Sequence, residues 1–212
     1  LYIYSQSAIT EAFLTWKQAF GDARHLVCYA VKANSNIAIL RLLASLGSGF
    51  DIVSGGELER VLTAGGDAAK VVFSGVGKSP AEIRRALEVG IRCFNVESSS
   101  ELYLIEKIAS ERGEIARISI RINPDVDAKT HPYISTGLKE NKFGVNAQQA
   151  LELYRYAQGA SHLQPVGVDC HIGSQLTEVA PFVESVQHLR DLVLELRKSG
   201  INIEHIDIGG GL

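Results

Sequence analysis

Short runs of Val, Ile, Leu and Phe recur along the chain, separated by longer stretches in which apolar residues return every three or four positions. The runs lie at 26–31, 49–53, 71–74, 93–96, 115–122, 166–170 and 203–208. Several are apolar almost without interruption, which is the pattern of strands covered on both faces in a parallel sheet. The spacing predicts seven strands with six helices between them.

The helix boundaries are written locally. Ser54 precedes Glu57, Ser79 precedes Glu82 and Ser98 precedes Glu101, each by three residues. A serine oxygen there accepts from an orphan backbone N–H while the glutamate reaches back, forming a capping box. Pro80 falls on a first helical position, where a missing N–H costs nothing. Gly47, Gly65, Gly90, Gly113, Gly159 and Gly200 each follow a periodic stretch. All six are expected to close helices in the left-handed conformation.

Strands alternating with helices imply βαβ units and a parallel sheet, either open and doubly wound or closed as a barrel. No G-x-G-x-x-G follows the first strands, which weakens the open nucleotide-binding sheet. The expected fold is therefore an α/β (β/α)8 TIM barrel truncated after about seven strands. One connection breaks the rhythm, running from near Arg121 to near Ala147 without clear periodicity. It carries Asp125, Asp127, Lys129, His131, Tyr133, Lys139, Lys142 and Phe143. Loops of that length in compact domains are functional or disordered.

Composition narrows the function. The chain has 212 residues, 46% of them hydrophobic and 21% charged, with a net charge of -3. That balance carries no footprint for nucleic acid or an anionic membrane, and no apolar run is long enough to span a bilayer. Cys28, Cys93 and Cys170 are an odd number without Cys-x-x-Cys spacing, so reduced, buried thiols of a cytoplasmic protein are expected and no metal site. Met is absent and the chain opens on Leu1, so a piece of a longer protein is expected.

In a parallel barrel, chemistry collects at the carboxyl ends of the strands. Lys32 directly continues the first strand; partial desolvation there would favour the neutral amine that forms an imine with a carbonyl. Gly209, Gly210 and Gly211 follow the seventh strand and offer consecutive backbone N–H groups to a phosphate. Ser174, after the sixth strand, could add a hydroxyl, and His171 could stack on a flat ligand or act as acid or base. A phosphate anchor with an imine-forming lysine is what pyridoxal phosphate requires.

At these residues the chain resembles a family. Tyr29-Ala-Val-Lys32-Ala-Asn34, Gly49-Phe-Asp51-Ile-Val-Ser-Gly-Gly-Glu57, His171-Ile-Gly-Ser-Gln175 and Asp207-Ile-Gly-Gly-Gly211 are similar to segments of fold-type III pyridoxal-phosphate enzymes. Within that group, the segment 131–144 resembles the diaminopimelate decarboxylase family. The resemblance implies a homodimeric lyase that decarboxylates meso-2,6-diaminopimelate to L-lysine and CO2, the last step of lysine biosynthesis. It implies that Lys32 binds the cofactor covalently, His171 stacks on its ring, and Ser174 with Gly209, Gly210 and Gly211 holds its phosphate. It sets Asp51 and Arg121 near the cofactor and the 131–144 loop beside the substrate, with Lys142 as a candidate for a substrate carboxylate.

The same resemblance expects residues 6–212 to be the cofactor-binding barrel, incomplete at its carboxyl end, and residues 1–5 to lend a strand to a β-sandwich domain. The acidic partner of the pyridine nitrogen, a second phosphate-binding segment, the substrate-carboxylate arginine and a cysteine donated across a dimer would all follow residue 212. The 212 residues by themselves are then expected to be inactive. Rival readings are an ornithine or arginine decarboxylase, an amino-acid racemase, a non-catalytic pyridoxal-phosphate-binding protein, or a Schiff-base aldolase without cofactor.

Overall fold

The computed structural model describes residues 1–124 and 143–211. They form two compact units, Leu1–Arg92 and Cys93–Leu212. All seven predicted strands are present among the described residues, and the six helices between them as well.

The first unit opens with α1 (Gln6–Ala19), a helix outside the predicted set, capped by Ser5, whose side chain accepts from Ala8 N–H. Then come β1 (Cys28–Ala30), a 3-10 turn (Val31–Ala33), α2 (Ile37–Ser45), β2 (Gly49–Ile52), α3 (Gly55–Thr63), β3 (Val71–Phe73) and α4 (Pro80–Val89). Its strands pair in chain order and in parallel, with Ala30 opposite Asp51 and Ile52 opposite Phe73. Phe50, Ile52, Phe73, Leu58, Val61 and Ile83 are all fully buried. Their periodicity, two along the strands and three to four along the helices, turns each element's apolar side inward.

The second unit holds β4 (Cys93–Val96), α5 (Ser99–Arg112), β5 (Ala116–Arg121), α6 (Ala147–Gly159), β6 (Leu163–Asp169), α7 (Ala180–Lys198) and β7 (His205–Asp207). These strands too are parallel and adjacent in chain order. Strands that follow one another with a helix between are the repeat of the (β/α)8 barrel, as expected. Strand β6 begins at Leu163, three residues before the predicted run, although Pro165 cannot donate to a ladder. The β5–β6 register slips beside that proline: Ile118 pairs with Pro165 and Ser119 with Gly167, leaving Val166 as an extra residue.

The caps follow the sequence with one refinement. All three serines accept from the glutamate N–H three residues on. Only Ser79 and Glu82 complete the reciprocal box. Glu57 and Glu101 reach one residue further back, to the N–H of Val53 and of Glu97. Five of the closing glycines have positive φ, but Gly159 does not. It is the last residue of α6, and Ala160 beyond it is already extended, so no left-handed residue is needed.

Glu82 does more than cap its own helix. Its Oε1 accepts from Gly55 N–H at 2.7 Å and its Oε2 from Ser79 N–H at 2.9 Å, so one carboxylate serves the N-termini of both α3 and α4. The Gly55 bond, with Ser79, holds the carboxyl below its usual range against the opposing effect of burial. A depressed folded-state value means stabilisation that is complete above the unfolded value of 4.5 and lost as acid protonates the folded form. Glu82→Ala in the full-length protein is expected to cost about 2 kcal/mol at neutral pH, and little near pH 3. Urea denaturation at both pH values checks this; an equal loss at both would show that the charge plays no part.

Candidate functional site

In the first unit, Lys32 stands where the sequence puts it, in the 3-10 turn directly after β1. The backbone around it is tied down. Tyr29 Oη donates to Asn34 O at 3.2 Å, and Asn34 Oδ1 accepts from Asn36 N–H at 3.0 Å. Asn36 in turn caps α2. The Lys32 side chain is exposed, so the partial desolvation expected of it is not supplied by its strand. A lysine that extends an apolar strand by one turn has already left the core. Asp51 lies on β2 opposite Ala30, and its Oδ1 accepts from Ser74 Oγ at 2.6 Å.

In the second unit, Arg121 ends β5 with its side chain only 11% exposed. Its Nη1 donates to Glu97 Oε1 at 2.8 Å, and its Nε lies 4.0 Å from Asp169 Oδ2. The side chains of Glu97 and Asp169 are 1% and 6% exposed. The guanidinium also sits 5.2 Å over the Phe143 ring. A buried cation thus joins the ends of β4, β5 and β6. Between β4 and β7, Asn95 Nδ2 donates to Asp207 Oδ2 at 3.2 Å, and Cys93 Sγ lies 3.9 Å from His205 Nε2.

The glycine turn after β7 lies flush against the loop after β6. A Cβ on Gly209 would come 2.6 Å from Cys170 O, and one on Gly211 would come 2.0 Å from Gly173 O. Neither position can carry a side chain. Gly210 has open space beside it. Leu176 N–H donates to Gly211 O at 2.7 Å, and Ile172 and Leu176 bury with Phe182 to anchor the loop. Ser174, exposed at the tip, lies beside Gly211.

The three glycine N–H groups are not equally available, contrary to the expectation of a fully open turn. Gly209 N–H donates to Asp207 Oδ1 at 2.9 Å. Gly210 N–H reaches His171 Nδ1 at a long 3.3 Å, which orients the half-buried imidazole and puts its proton on Nε2. The Gly211 N–H and the Ser174 hydroxyl therefore remain to meet an anion, with no side chain at Gly210 in the way. That cradle fits a phosphate.

The structure brings His171, Ser174, Gly209, Gly210 and Gly211 together, and sets Arg121 in the same unit. Lys32 and Asp51 belong to the first unit. Lys142 and the other polar residues of the 125–142 loop fall outside the described residues. Sequence reasoning missed Glu97, Asp169 and Asp207 as partners of the site, although each is a carboxylate at or just past a strand's carboxyl end. That position was the available signal. The thiols are as expected in forming no disulfide, though Cys28 is only half-buried. Burial pushes the Cys170 thiol up to about 12, so it is inert near neutrality. Among the described residues no helix is long and apolar enough to cross a membrane.

Residues 6–212 match the family described as pyridoxal-dependent decarboxylase, pyridoxal binding domain. Over all 212 residues the chain is 60% identical to a diaminopimelate decarboxylase of Neisseria meningitidis serogroup A, of which it spans 52%. It superposes on a diaminopimelate decarboxylase of Helicobacter pylori complexed with L-lysine with a TM-score of 0.97 and 53% identity, covering 99% of this chain and 53% of that one. A lysine decarboxylase of Selenomonas ruminantium is also similar, with a TM-score of 0.86 and 29% identity over 98% of this chain and 51% of that one. The chain spans about half the length of the relatives it matches.

Proposed function

Since the chain belongs to the pyridoxal-dependent decarboxylases, through their pyridoxal-binding domain, we propose that the whole protein decarboxylates meso-2,6-diaminopimelate to L-lysine and CO2. The observation that carries this reading is the 60% identity to a diaminopimelate decarboxylase across every residue of the chain. The L-lysine in the Helicobacter pylori structure is the product the reading requires.

When bound, pyridoxal phosphate supplies an aldehyde for an amine and a ring that takes up the electron pair released as CO2 leaves. The residues present fit it. Lys32 offers an exposed amine on a turn tied down through Tyr29, Asn34 and Asn36. Gly211 and Ser174 would hold the phosphate through an N–H group and a hydroxyl, with Gly209 and Gly210 shaping the turn around it. His171, oriented through Nδ1, presents its ring face and a donating Nε2. Asp51, held by Ser74, and Arg121, held between Glu97 and Asp169, are charges fixed in advance, so no reorganisation is needed when charge develops nearby.

The proposal extends to a homodimer in the cytoplasm. Lys32 is exposed within these residues, so groups outside them have to shield it from water, and a second copy is their proposed source. Residues 1–5 are proposed to add a strand to a β-sandwich domain, an assignment supported by the exposed apolar side chains of Leu1, Tyr2, Ile3 and Tyr4. The barrel domain is proposed to begin at residue 6.

The test is CO2 release by full-length protein supplied with pyridoxal phosphate and, separately, diaminopimelate, ornithine, arginine or lysine. Diaminopimelate is expected to lead by about 100-fold or more in kcat/KM, because a site built for a second polar end rejects substrates lacking it. Faster release from ornithine, arginine or lysine would move the protein to another decarboxylase. Cofactor binding without any release would make it a non-catalytic binding protein.

A further inference from the structure

One rung of the β5–β6 ladder is bridged by a side chain. Ile122 N–H donates directly to Asp169 O at 2.8 Å. Parallel rungs recur every two residues, and Ile120 N–H and Gly167 O belong to the next rung. Tyr154 Oη binds both groups of that rung. It accepts from Ile120 N–H at 3.1 Å and donates to Gly167 O at 2.6 Å. Tyr154 comes from α6 and is fully buried. Burial raises its phenol far above the ordinary range, so the hydroxyl keeps the proton it donates.

This rung adjoins the slip that decides which way β6 faces. Arg117 pairs with Gln164 and Ser119 with Gly167, so a step of two residues on β5 matches a step of three on β6. A one-residue difference in register reverses the face of every side chain that follows. Without the extra residue Val166, Asp169 would turn away from Arg121. With it, Asp169 comes 4.0 Å from Arg121, Cys170 N–H pairs with Asp207 O, and His171 receives Gly210 N–H.

We propose that Tyr154 is a positioning residue: its hydroxyl, bonded to both strands, holds the extra residue of β6 in place and so sets Asp169 against Arg121 and His171 against the 209–211 turn. The consequence for cofactor binding rests on the reading given under Proposed function; the geometry does not. With phenylalanine at 154 both bonds are lost, and Gly167 O, next to the extra residue, is released from α6. Residues 167–171 are then expected to shift.

The experiment compares full-length Tyr154→Phe with Leu153→Ala, a buried substitution one residue away that removes packing and no hydrogen bond. Pyridoxal phosphate titrated into each is expected to bind Tyr154→Phe about tenfold more weakly, the effect of one buried hydrogen bond, and Leu153→Ala within about twofold of the parent. A crystal structure of Tyr154→Phe is expected to show Asp169 and His171 displaced. Equal weakening in both variants, or a Tyr154→Phe structure with Asp169 and His171 unmoved, overturns the proposal. Should Tyr154→Phe fail to fold, 3-fluorotyrosine at 154 adds one small ring substituent and makes the hydroxyl a stronger donor to Gly167 O, and is expected to shift the absorption band of the bound cofactor; an unshifted band overturns it. If the parent protein releases no CO2 from any substrate, the functional reading fails alone, and the displacement in the crystal still decides this one.

Discussion

Lys32→Ala is expected to reduce decarboxylation by the full-length protein roughly ten-thousandfold or more, because Lys32 is the proposed covalent attachment point. Borohydride reduction with added pyridoxal phosphate should place a phosphopyridoxyl group on the Lys32 peptide of the parent and on no peptide of the variant. Two other lysines of the same unit are poorly suited. Lys78 is buried, and its Nζ donates to Gly75 O at 2.7 Å. Lys70 lies at the end of the short helical turn before β3, at the opposite end of that strand from Ser74. Because Lys32 is exposed, its removal should change stability by no more than about 0.5 kcal/mol. Loss of activity with an unchanged melting curve is therefore the signature of a chemical role. Label retained in the variant, or found on another lysine of the parent, would remove the assignment.

Arg121→Met should act in the opposite sense, through the fold first. Glu97 and Asp169 are buried carboxylates that face this guanidinium. Removing the cation leaves two like charges in a low-dielectric site, which costs about 3–5 kcal/mol. Chemical denaturation of the full-length variant measures it. The companion experiment replaces all three side chains with apolar ones of similar volume. That variant is expected to recover most of the stability, because burying the ions was itself costly, while its affinity for pyridoxal phosphate should stay low. If Arg121→Met alone is as stable as the parent, the contacts at 2.8 Å and 4.0 Å contribute nothing to the fold, and Arg121 is only a neighbour.

The two substitutions test different kinds of information. Lys32 is visible in a single strand and its exit turn, whereas the value of Arg121 depends on residues 24 and 48 positions away in the chain. The same contrast separates Ser79 and Glu82, whose mutual cap is contained in four residues, from the second bond of Glu82 to Gly55, which is 27 residues distant. Gly159 shows the limit from the other side. Its position after a periodic stretch matched five other closing glycines, but the extended Ala160 that follows ends the helix by itself.

Local order in this protein follows from nearest neighbours along the chain. Apolar period, serine caps and closing glycines act within one turn or one strand, so the strands, the helices between them and the motif residues Lys32, His171 and Gly209 to Gly211 could all be read from residue order. Only the tertiary structure decided the rest: that Val166 is an extra residue, that Tyr154 bonds to two strands it does not belong to, and that Glu97, Arg121 and Asp169 share one buried contact. Those outcomes depend on side-chain phase across paired strands, and phase is set by register. A shift of one residue reverses it while leaving every local preference satisfied.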